Sequence, residues 1–354
     1  MSACDNIIIP KTMKAVVVRK CGGPDSLLYE TDHPVPEDLS EGQVLVRNEC
    51  TGLNFIDTYY RSGLYKQNLP FIAGQEGAGI VVKKHESVVD DELKVGDKVV
   101  YVSLGSYCEF TRVPAKKVVK IPVDNDGNHR ISMEEALCGM TQGMTAHYLV
   151  TDATAGLTQI GDWMLIYSVG SGTCQWACQM AKIQGYRVIG TTSKSKVSDV
   201  TKAACDHLIV LDPVDQKSYA DYSSVDIYEK VMQITDGKGV KCIVDGVGKS
   251  TADISVKCLA RRGLWISFGN ASGAVPPFSL LKLTSKSGYV TRPKLGDYIA
   301  TDEEFGSRIK AVFDYMVKGS LKVQVDTVLP IKEAEKAHEY LEDGNSKGKI
   351  ILRI

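Results

Sequence analysis

Between the apolar run Trp163-Met-Leu-Ile-Tyr-Ser168 and a segment of helical composition, Cys174–Gln184, the chain reads Ser168-Val-Gly-Ser-Gly-Thr-Cys174. Small residues at a strand-to-helix turn let backbone amides and the positive end of the helix approach a pyrophosphate, which is the chemistry of a dinucleotide site. Gly170, Ser171, Gly172, Thr173 and Cys174 are therefore candidate cofactor contacts; the alternative is a tight connection without a ligand, since glycine serves both uses. Roughly 20 residues after such a turn, enzymes that prefer NAD place a carboxylate for the adenosine ribose hydroxyls. Here the chain reads Gly190-Thr-Thr-Ser-Lys-Ser-Lys196. Lys194 and Lys196, with Thr192 among the neighbouring hydroxyls, offer charge and donors to a 2′-phosphate, so the expected cofactor is NADPH rather than NADH. Two lysines opening a helix are also an ordinary solvated face.

The remaining chemistry-bearing residues point away from other classes. The ten cysteines are scattered from Cys4 to Cys258 with no Cys-x-x-Cys pair and no paired Cys/His spacing, which suits neither a disulfide framework nor a structural zinc site. A reducing compartment, the cytoplasm, is expected. Cys174 and Cys178 share one helix face and read as small buried thiols before a redox pair. His147 and His207 lack companion ligands, and no Ser/His/Asp arrangement is visible. With 42 Lys plus Arg against 43 Asp plus Glu, the net charge of −1 provides no field for nucleic acid or a membrane surface. In the stretch Met1 to Met13, the apolar patch Ile7–Ile9 is stopped by Pro10, too short for a signal core or a spanning helix.

These residues need a scaffold, and 354 residues suffice for two domains. Short β-branched runs at Lys14–Arg19, Gln43–Cys50, Gly79–Lys84 and Lys98–Val102, separated by Gly, Pro and Asp, predict a mainly β domain over residues 1–139. From Gly139 the pattern alternates between helical and strand segments, the signature of a doubly wound parallel sheet, assigned to 140–285. Its strands are expected at Trp163–Ser168, Tyr186–Thr191, His207–Leu211, Lys241–Asp245 and Leu264–Phe268. Residues 286–354, with helices near Glu303–Lys318 and Ile331–Leu341 and strands near Val325–Leu329 and Lys349–Arg353, are expected to return to the first domain.

Six segments carry a family likeness: Gly52-Leu-Asn-Phe-Ile-Asp-Thr-Tyr-Tyr-Arg-Ser-Gly-Leu-Tyr65, Gly74-Gln-Glu-Gly-Ala-Gly79, Gly96-Asp-Lys-Val99, Arg261-Arg-Gly-Leu264, Ser267-Phe-Gly-Asn-Ala-Ser-Gly273 and Val290-Thr-Arg-Pro293. From Met13 to Ile354 the chain resembles the quinone oxidoreductases of the medium-chain dehydrogenase/reductase superfamily, the zeta-crystallin-like NADPH:quinone reductases. The resemblance implies an α/β protein: a GroES-like β domain, a Rossmann domain, a cleft between them, and a homodimer formed through the nucleotide-binding domains. Zinc-bearing alcohol dehydrogenases are similar here but place Cys where this chain has Asn54 and His where it has Gln75. Neither amide replaces a thiolate or imidazole on zinc, and only Cys108 falls in the stretch of their four-cysteine lobe, so no catalytic or structural metal is expected. The family's phosphate turn reads Ala-x-x-Gly-Gly-Val-Gly; here Ser171 and Cys174 stand at two of its glycines, and a side chain at the last is expected to push the helix outward.

What the resemblance implies for the site follows residue by residue. Without a metal, catalysis rests on holding the nicotinamide against the acceptor and stabilising the developing oxyanion. Asn54, Asp57, Tyr59 and Tyr65 come from the cleft-facing loop, Asn54 and Tyr59 nearest the nicotinamide or the substrate oxygen. The alternative for the tyrosines is a packed loop whose phenols satisfy buried backbone groups. Thr145, in Gly143-Met-Thr-Ala146, and Phe268, Gly269 and Asn270 match positions that contact the cofactor; Lys349 is assigned near its adenosine end. The expected activity is reduction of quinones by NADPH. The rival within enzymes is reduction of α,β-unsaturated aldehydes or ketones on the same fold; the rival outside them is an NADPH-binding structural or RNA-binding protein, disfavoured by near-neutral charge and the lack of an aromatic-plus-basic patch.

Overall fold

A computed structural model describes residues 8–36, 38–154, 156–214 and 219–354 of the chain. The segment 1–7, which includes Cys4 and the first isoleucine of the apolar patch, lies outside the described residues. In chain order the strands are β1 (Thr12–Val18), β2 (Leu27–Pro34), β3 (Gln43–Leu53), β4 (Phe71–Ile72), β5 (Glu76–Lys84), β6 (Lys98–Val102), β7 (Phe110–Pro114), β8 (Val118–Lys120), β9 (Trp163–Ile166), β10 (Arg187–Ser193), β11 (His207–Leu211), β12 (Val240–Asp245), β13 (Leu259–Ser267), β14 (Tyr289–Thr291), β15 (Val325–Pro330) and β16 (Lys349–Arg353). The helices are α1 (Phe55–Ser62), α2 (Met133–Cys138), α3 (Met144–Val150), α4 (Gly172–Ile183), α5 (Asp199–Ala203), α6 (Ile227–Ile234), α7 (Ala252–Cys258), α8 (Asp302–Val317) and α9 (Ala334–Glu342).

The described residues form two compact units. The first contains the chain up to Thr141 together with Val325–Glu342 and Lys349–Ile354. Its larger sheet runs β15-β16-β3-β5-β6-β8, with β7 also paired to β3, and a smaller sheet runs β2-β1-β4. All pairings in these sheets are antiparallel except β15 with β16. Successive side chains of β3 and β5 point to opposite faces and feed two cores, one built on Val44, Val46, Val81, Val99 and Tyr101 and the other on Leu45, Val82, Cys108 and Phe110. A third core joins Val16, Leu53 and Tyr107 to Ala337 and Leu341 of α9 and to Ile350 and Leu352 of β16.

The second unit spans Gln142–Gln324 and Asp343–Gly348. Its sheet runs β11-β10-β9-β12-β13-β14 and is parallel throughout. Counted from β9 this is the order 3-2-1-4-5-6 of a doubly wound dinucleotide fold, whose ligand crevice lies where the order reverses, between β9 and β12. Central strands buried on both faces explain why Met164–Ile166 and Cys242–Val244 read as unbroken apolar runs.

Three departures from the sequence reading have simple causes. Asn54–Tyr65, expected as a loop, contains α1: the Asp57 carboxylate accepts the Asn54 N–H at 2.8 Å, and Gly63, at a left-handed φ of 81°, ends the helix. The sixth strand, β14, was not expected; it is only three residues long and pairs parallel with β13. The second unit accordingly runs on through α8 to Gln324, so the return to the first unit begins at Val325 instead of residue 286.

Candidate active site

In the first unit a buried polar cluster is assembled across β3. Glu76 opens β5 and Lys349 opens β16, the two strands that flank β3, and Gly52 lies between them. A Cβ at Gly52 would stand 2.2 Å from Glu76 Oε1 and 2.5 Å from Lys349 Cε, so the missing side chain is the space in which the two ends meet. The Lys349 ammonium pairs with the Glu76 carboxylate, both side chains being 0% exposed. Removing two charges from water is costly unless their remaining valences are filled. Here they are: Lys349 Nζ donates to Asn54 Oδ1 (2.8 Å), Asn54 Nδ2 donates to Glu76 Oε1 (2.9 Å), and the Thr141 N–H donates to Glu76 Oε2 (2.7 Å).

Asn54 links this cluster to a second one. Asp57 is buried, which pushes its carboxyl up to about 7 against the pull of the Asn54 N–H; the neighbouring Glu76 charge adds to the rise. The Tyr107 hydroxyl donates to Asp57 Oδ2 at 3.5 Å and lies 3.4 Å from His338 Nε2. Burial, aided by the Arg61 charge, pushes the His338 imidazole down to about 3, so it is neutral. Arg61 reaches His338 Nδ1 at 3.3 Å and binds Glu342 through both terminal nitrogens at 2.9 and 2.7 Å. Of the expected aromatic residues, Tyr59 and Tyr65 are half-buried and meet edge to face with ring centroids 5.3 Å apart.

In the second unit the glycine-bearing turn joins β9 to α4. Ser168 adopts a left-handed φ of 56°, held by its N–H to Thr191 Oγ1 at 3.2 Å and its hydroxyl 2.8 Å from Tyr222 Oη. A left-handed non-glycine residue must be held by its surroundings, and such residues gather at ligand sites. A Cβ at Gly170 would fall 2.8 Å from Thr192 Oγ1 and 2.6 Å from Lys196 Cβ, and one at Gly172 would fall 2.5 Å from the Gln142 amide. The turn thus brings Gly170, Thr192 and Lys196 together, with Ser171 as the cap of α4. The Thr192 hydroxyl is buried and has no hydrogen-bond partner among the described residues. Lys194 is exposed one residue after β10. A helix start, a small-residue turn, a buried hydroxyl without a partner and two lysines fit a phosphorylated dinucleotide. Cys174 sits on the buried face of α4, 3% exposed, with burial pushing its thiol up to about 12. α4 still begins at Gly172, directly after the turn. Thr145 is buried on α3.

The loop carrying Phe268, Gly269 and Asn270 is tied to the end of β12. Phe268 N–H donates to Asp245 O at 2.8 Å, and a Cβ at Gly269 would lie 2.4 Å from Gly246 O. Asp245 organises both segments: its carboxylate accepts from Val247 N (2.9 Å), Gly248 N (3.1 Å), Thr251 Oγ1 (2.8 Å) and Trp265 Nε1 (3.1 Å). From the other side Arg292, of the Val290–Pro293 segment, donates to the carbonyls of Ser267 (2.9 Å) and Gly269 (3.0 Å).

One assignment is corrected. Lys349, expected at the adenosine end of the cofactor, belongs to the first unit and spends its charge on Glu76. Glu76, Arg61, Tyr107, His338, Asp245 and Arg292 were missed as site residues. The available signals, for Glu76 and Asp245 alone, were an acid opening the apolar run of β5 up to Val82 and an acid closing the apolar run Cys242–Val244 of β12. A zinc ion of the alcohol dehydrogenase kind does not fit: the positions offer the amides of Asn54 and Gln75, and Asn54 is already shared between a buried ammonium and a carboxylate.

A doubly wound unit with a built turn for phosphate, joined to an antiparallel β unit, defines the class of medium-chain dehydrogenases and reductases. The alcohol dehydrogenase GroES-like domain model matches residues 40–162, and the zinc-binding dehydrogenase model matches 213–352. Quinone oxidoreductase 1 of Escherichia coli strain K12 is 36% identical over 340 residues, covering 94% of this chain and 97% of that protein. The 2-haloacrylate reductase of a Burkholderia species is 33% identical over 351 residues, covering 96% and 98%. The solved structure of an Escherichia coli quinone oxidoreductase complexed with NADPH superposes with a TM-score of 0.86 at 36% identity, covering 96% of this chain and 100% of that one. The chain belongs to the quinone oxidoreductase family of the medium-chain dehydrogenase/reductase superfamily.

Proposed function

We propose that this protein is an NADPH-dependent oxidoreductase that reduces quinones without zinc. The observation that carries the reading is the phosphate turn of the second unit, with Gly170 closed against Thr192 and Lys196 and the Thr192 hydroxyl left without a partner among the described residues. NADPH, when bound, supplies a hydride. Gly170, Ser171, Gly172, Thr173 and Cys174 border its pyrophosphate. Thr192, Lys194 and Lys196 take the 2′-phosphate, which binds two cationic side chains far better than a bare hydroxyl does. Thr145 and Phe268–Asn270 flank the nicotinamide. Asn54 and Tyr59 donate hydrogen bonds to the acceptor oxygen as it gains charge, with Asp57 and Tyr65 supporting them. A reduced quinone is a stable aromatic oxygen anion, so water suffices as the proton source.

The likeness to a 2-haloacrylate reductase supports a second reading, reduction of activated alkenes. The two separate in one assay: NADPH consumption by purified, metal-free protein with an ortho-quinone and with a 2-alkenal, NADH run in parallel. Faster turnover with the quinone and NADPH is expected. Preference for the alkenal moves the protein to the alkene reductases, and saturable NADPH binding without turnover of either leaves a binding protein.

The nine cysteines among the described residues are free thiols, which suits a cytoplasmic protein, and no helix among the described residues is long and apolar enough to cross a membrane. A homodimer through the nucleotide-binding units is supported by β14, an edge strand with Tyr289 and Val290 exposed, and by the exposed Leu280 and Leu281 of the same unit. Sedimentation of the protein distinguishes dimer from monomer.

A further inference from the structure

We propose that Glu76 and Lys349 are positioning residues for the reaction: together they fix the carboxamide of Asn54 so that one of its two Nδ2 hydrogens is held ready for the acceptor oxygen. The inference rests on the quinone reductase reading and gives that site its orienting device.

An asparagine side chain turns freely about its last bond, and its two ends differ only in whether they donate or accept. In this site the ends are distinguished by charge. Oδ1 lies 2.8 Å from the Lys349 ammonium, which only donates, and Nδ2 lies 2.9 Å from the Glu76 carboxylate, which only accepts. Turning the amide over would set a donor against a cation and an acceptor against an anion. Both orienting groups are themselves immobilised, because their side chains are 0% exposed and Glu76 is also held by the Thr141 N–H at 2.7 Å. Gly52 leaves them no more room than they occupy. Asn54 backbone N–H is tied to Asp57 at 2.8 Å, so the residue is fixed at both main chain and side chain. One Nδ2 hydrogen is used on Glu76; the second has no acceptor among the described residues. A donor set in place before the reaction needs no reorganisation as negative charge develops on the acceptor oxygen, which is the form of stabilisation that raises kcat and leaves binding nearly unchanged.

The test separates orientation from stability. Lys349→Met leaves Glu76 buried without its cation, so thermal stability and kcat are both expected to fall. Lys349→Met combined with Glu76→Gln removes both charges and is expected to regain most of the thermal stability, because the uncompensated charge is gone. Its kcat for the quinone is expected to stay at least about tenfold below the parent, with the dissociation constant for NADPH within about twofold, since the donor is no longer aimed. Asn54→Ala in the parent and in the double variant completes the comparison: the triple variant is expected to lose no more kcat than Asn54→Ala alone. Recovery of kcat together with stability in the double variant, losses that multiply in the triple variant, or a double variant that regains neither stability nor rate would each mark the pair as a structural element and overturn the assignment. Absence of quinone turnover in the parent protein would instead reject the activity on which the inference rests.

Discussion

Asp57 and His338 share one hydroxyl: Tyr107 Oη lies 3.5 Å from Asp57 Oδ2 and 3.4 Å from His338 Nε2. The two flanking groups respond to pH in opposite directions. Asp57, raised by burial from 3.8 to about 7, keeps a proton in the folded chain that the unfolded chain releases, so its contribution to stability is present at low pH and is lost as the pH climbs through about 4 to 7. His338, pushed down by burial from 6.5 to about 3, stays neutral while the unfolded imidazole takes up a proton, so its contribution is present above about pH 6.5 and is lost as the pH falls toward 3. Asp57→Asn should remove the first effect alone. Its stability relative to the parent should then rise across pH 4 to 7, by on the order of 4 kcal/mol in total. Urea unfolding midpoints through that window check this, and a difference that does not change with pH would show that the proton is not held at Asp57.

Gly52→Ala should destabilise the first unit by about 1–3 kcal/mol or more, because the new methyl group has the Glu76 carboxylate and the Lys349 stem already in its place. The contrast is Gly306→Ala on α8, where nothing lies within 4 Å of the added carbon and the helix should gain up to about 1 kcal/mol. Unfolding curves of the two variants should move in opposite directions; a neutral Gly52→Ala would mean the pair can shift aside at no cost.

Replacing Lys194 and Lys196 together by alanine should raise the dissociation constant for NADPH by tenfold or more while changing that for NADH by less than about twofold, since only the former carries the 2′-phosphate. Nicotinamide fluorescence titrations measure both. Equal losses would remove the lysines from the 2′-phosphate site.

Asp245→Ala should cost about 3 kcal/mol or more, because it strands the buried donors of Val247, Gly248, Thr251 and Trp265 at once. Asp245→Asn keeps one acceptor oxygen and should cost less. A shift in the emission of Trp265, whose indole N–H loses its partner, would accompany the unfolding data; unchanged emission and stability in the alanine variant would contradict the role of the Asp245 carboxylate in organising the end of β12.

Much of this architecture is legible in the sequence. His207–Leu211 and Lys349–Arg353 coincide with β11 and β16, because β-branched runs between turn residues have few other uses. The Gly170 turn was legible from its position after β9. α1 was hidden although its signals were present, an Asn cap with Asp three residues on and Gly just past the end, because eight residues carry little periodicity of their own. The residues that orient Asn54 were least legible of all. Lys349 lies 273 positions from Glu76, and His338 lies 277 from Arg61, so no local pattern links either pair. Only the pairing of β16 with β3 makes an isolated lysine at the start of an apolar strand the counter-ion of a distant acid.

That pairing also sets an order of assembly during synthesis. β3 takes β16 as one of its neighbours, yet the whole second unit is translated between them. A ribosome therefore delivers everything the parallel sheet requires while the earlier antiparallel sheet still shows an open flank at β3, with Glu76 awaiting its cation. Nascent chains stalled once Gly348 has left the ribosome should carry a protease-resistant second unit and a first unit that remains cleavable and in need of chaperone protection until β16 emerges.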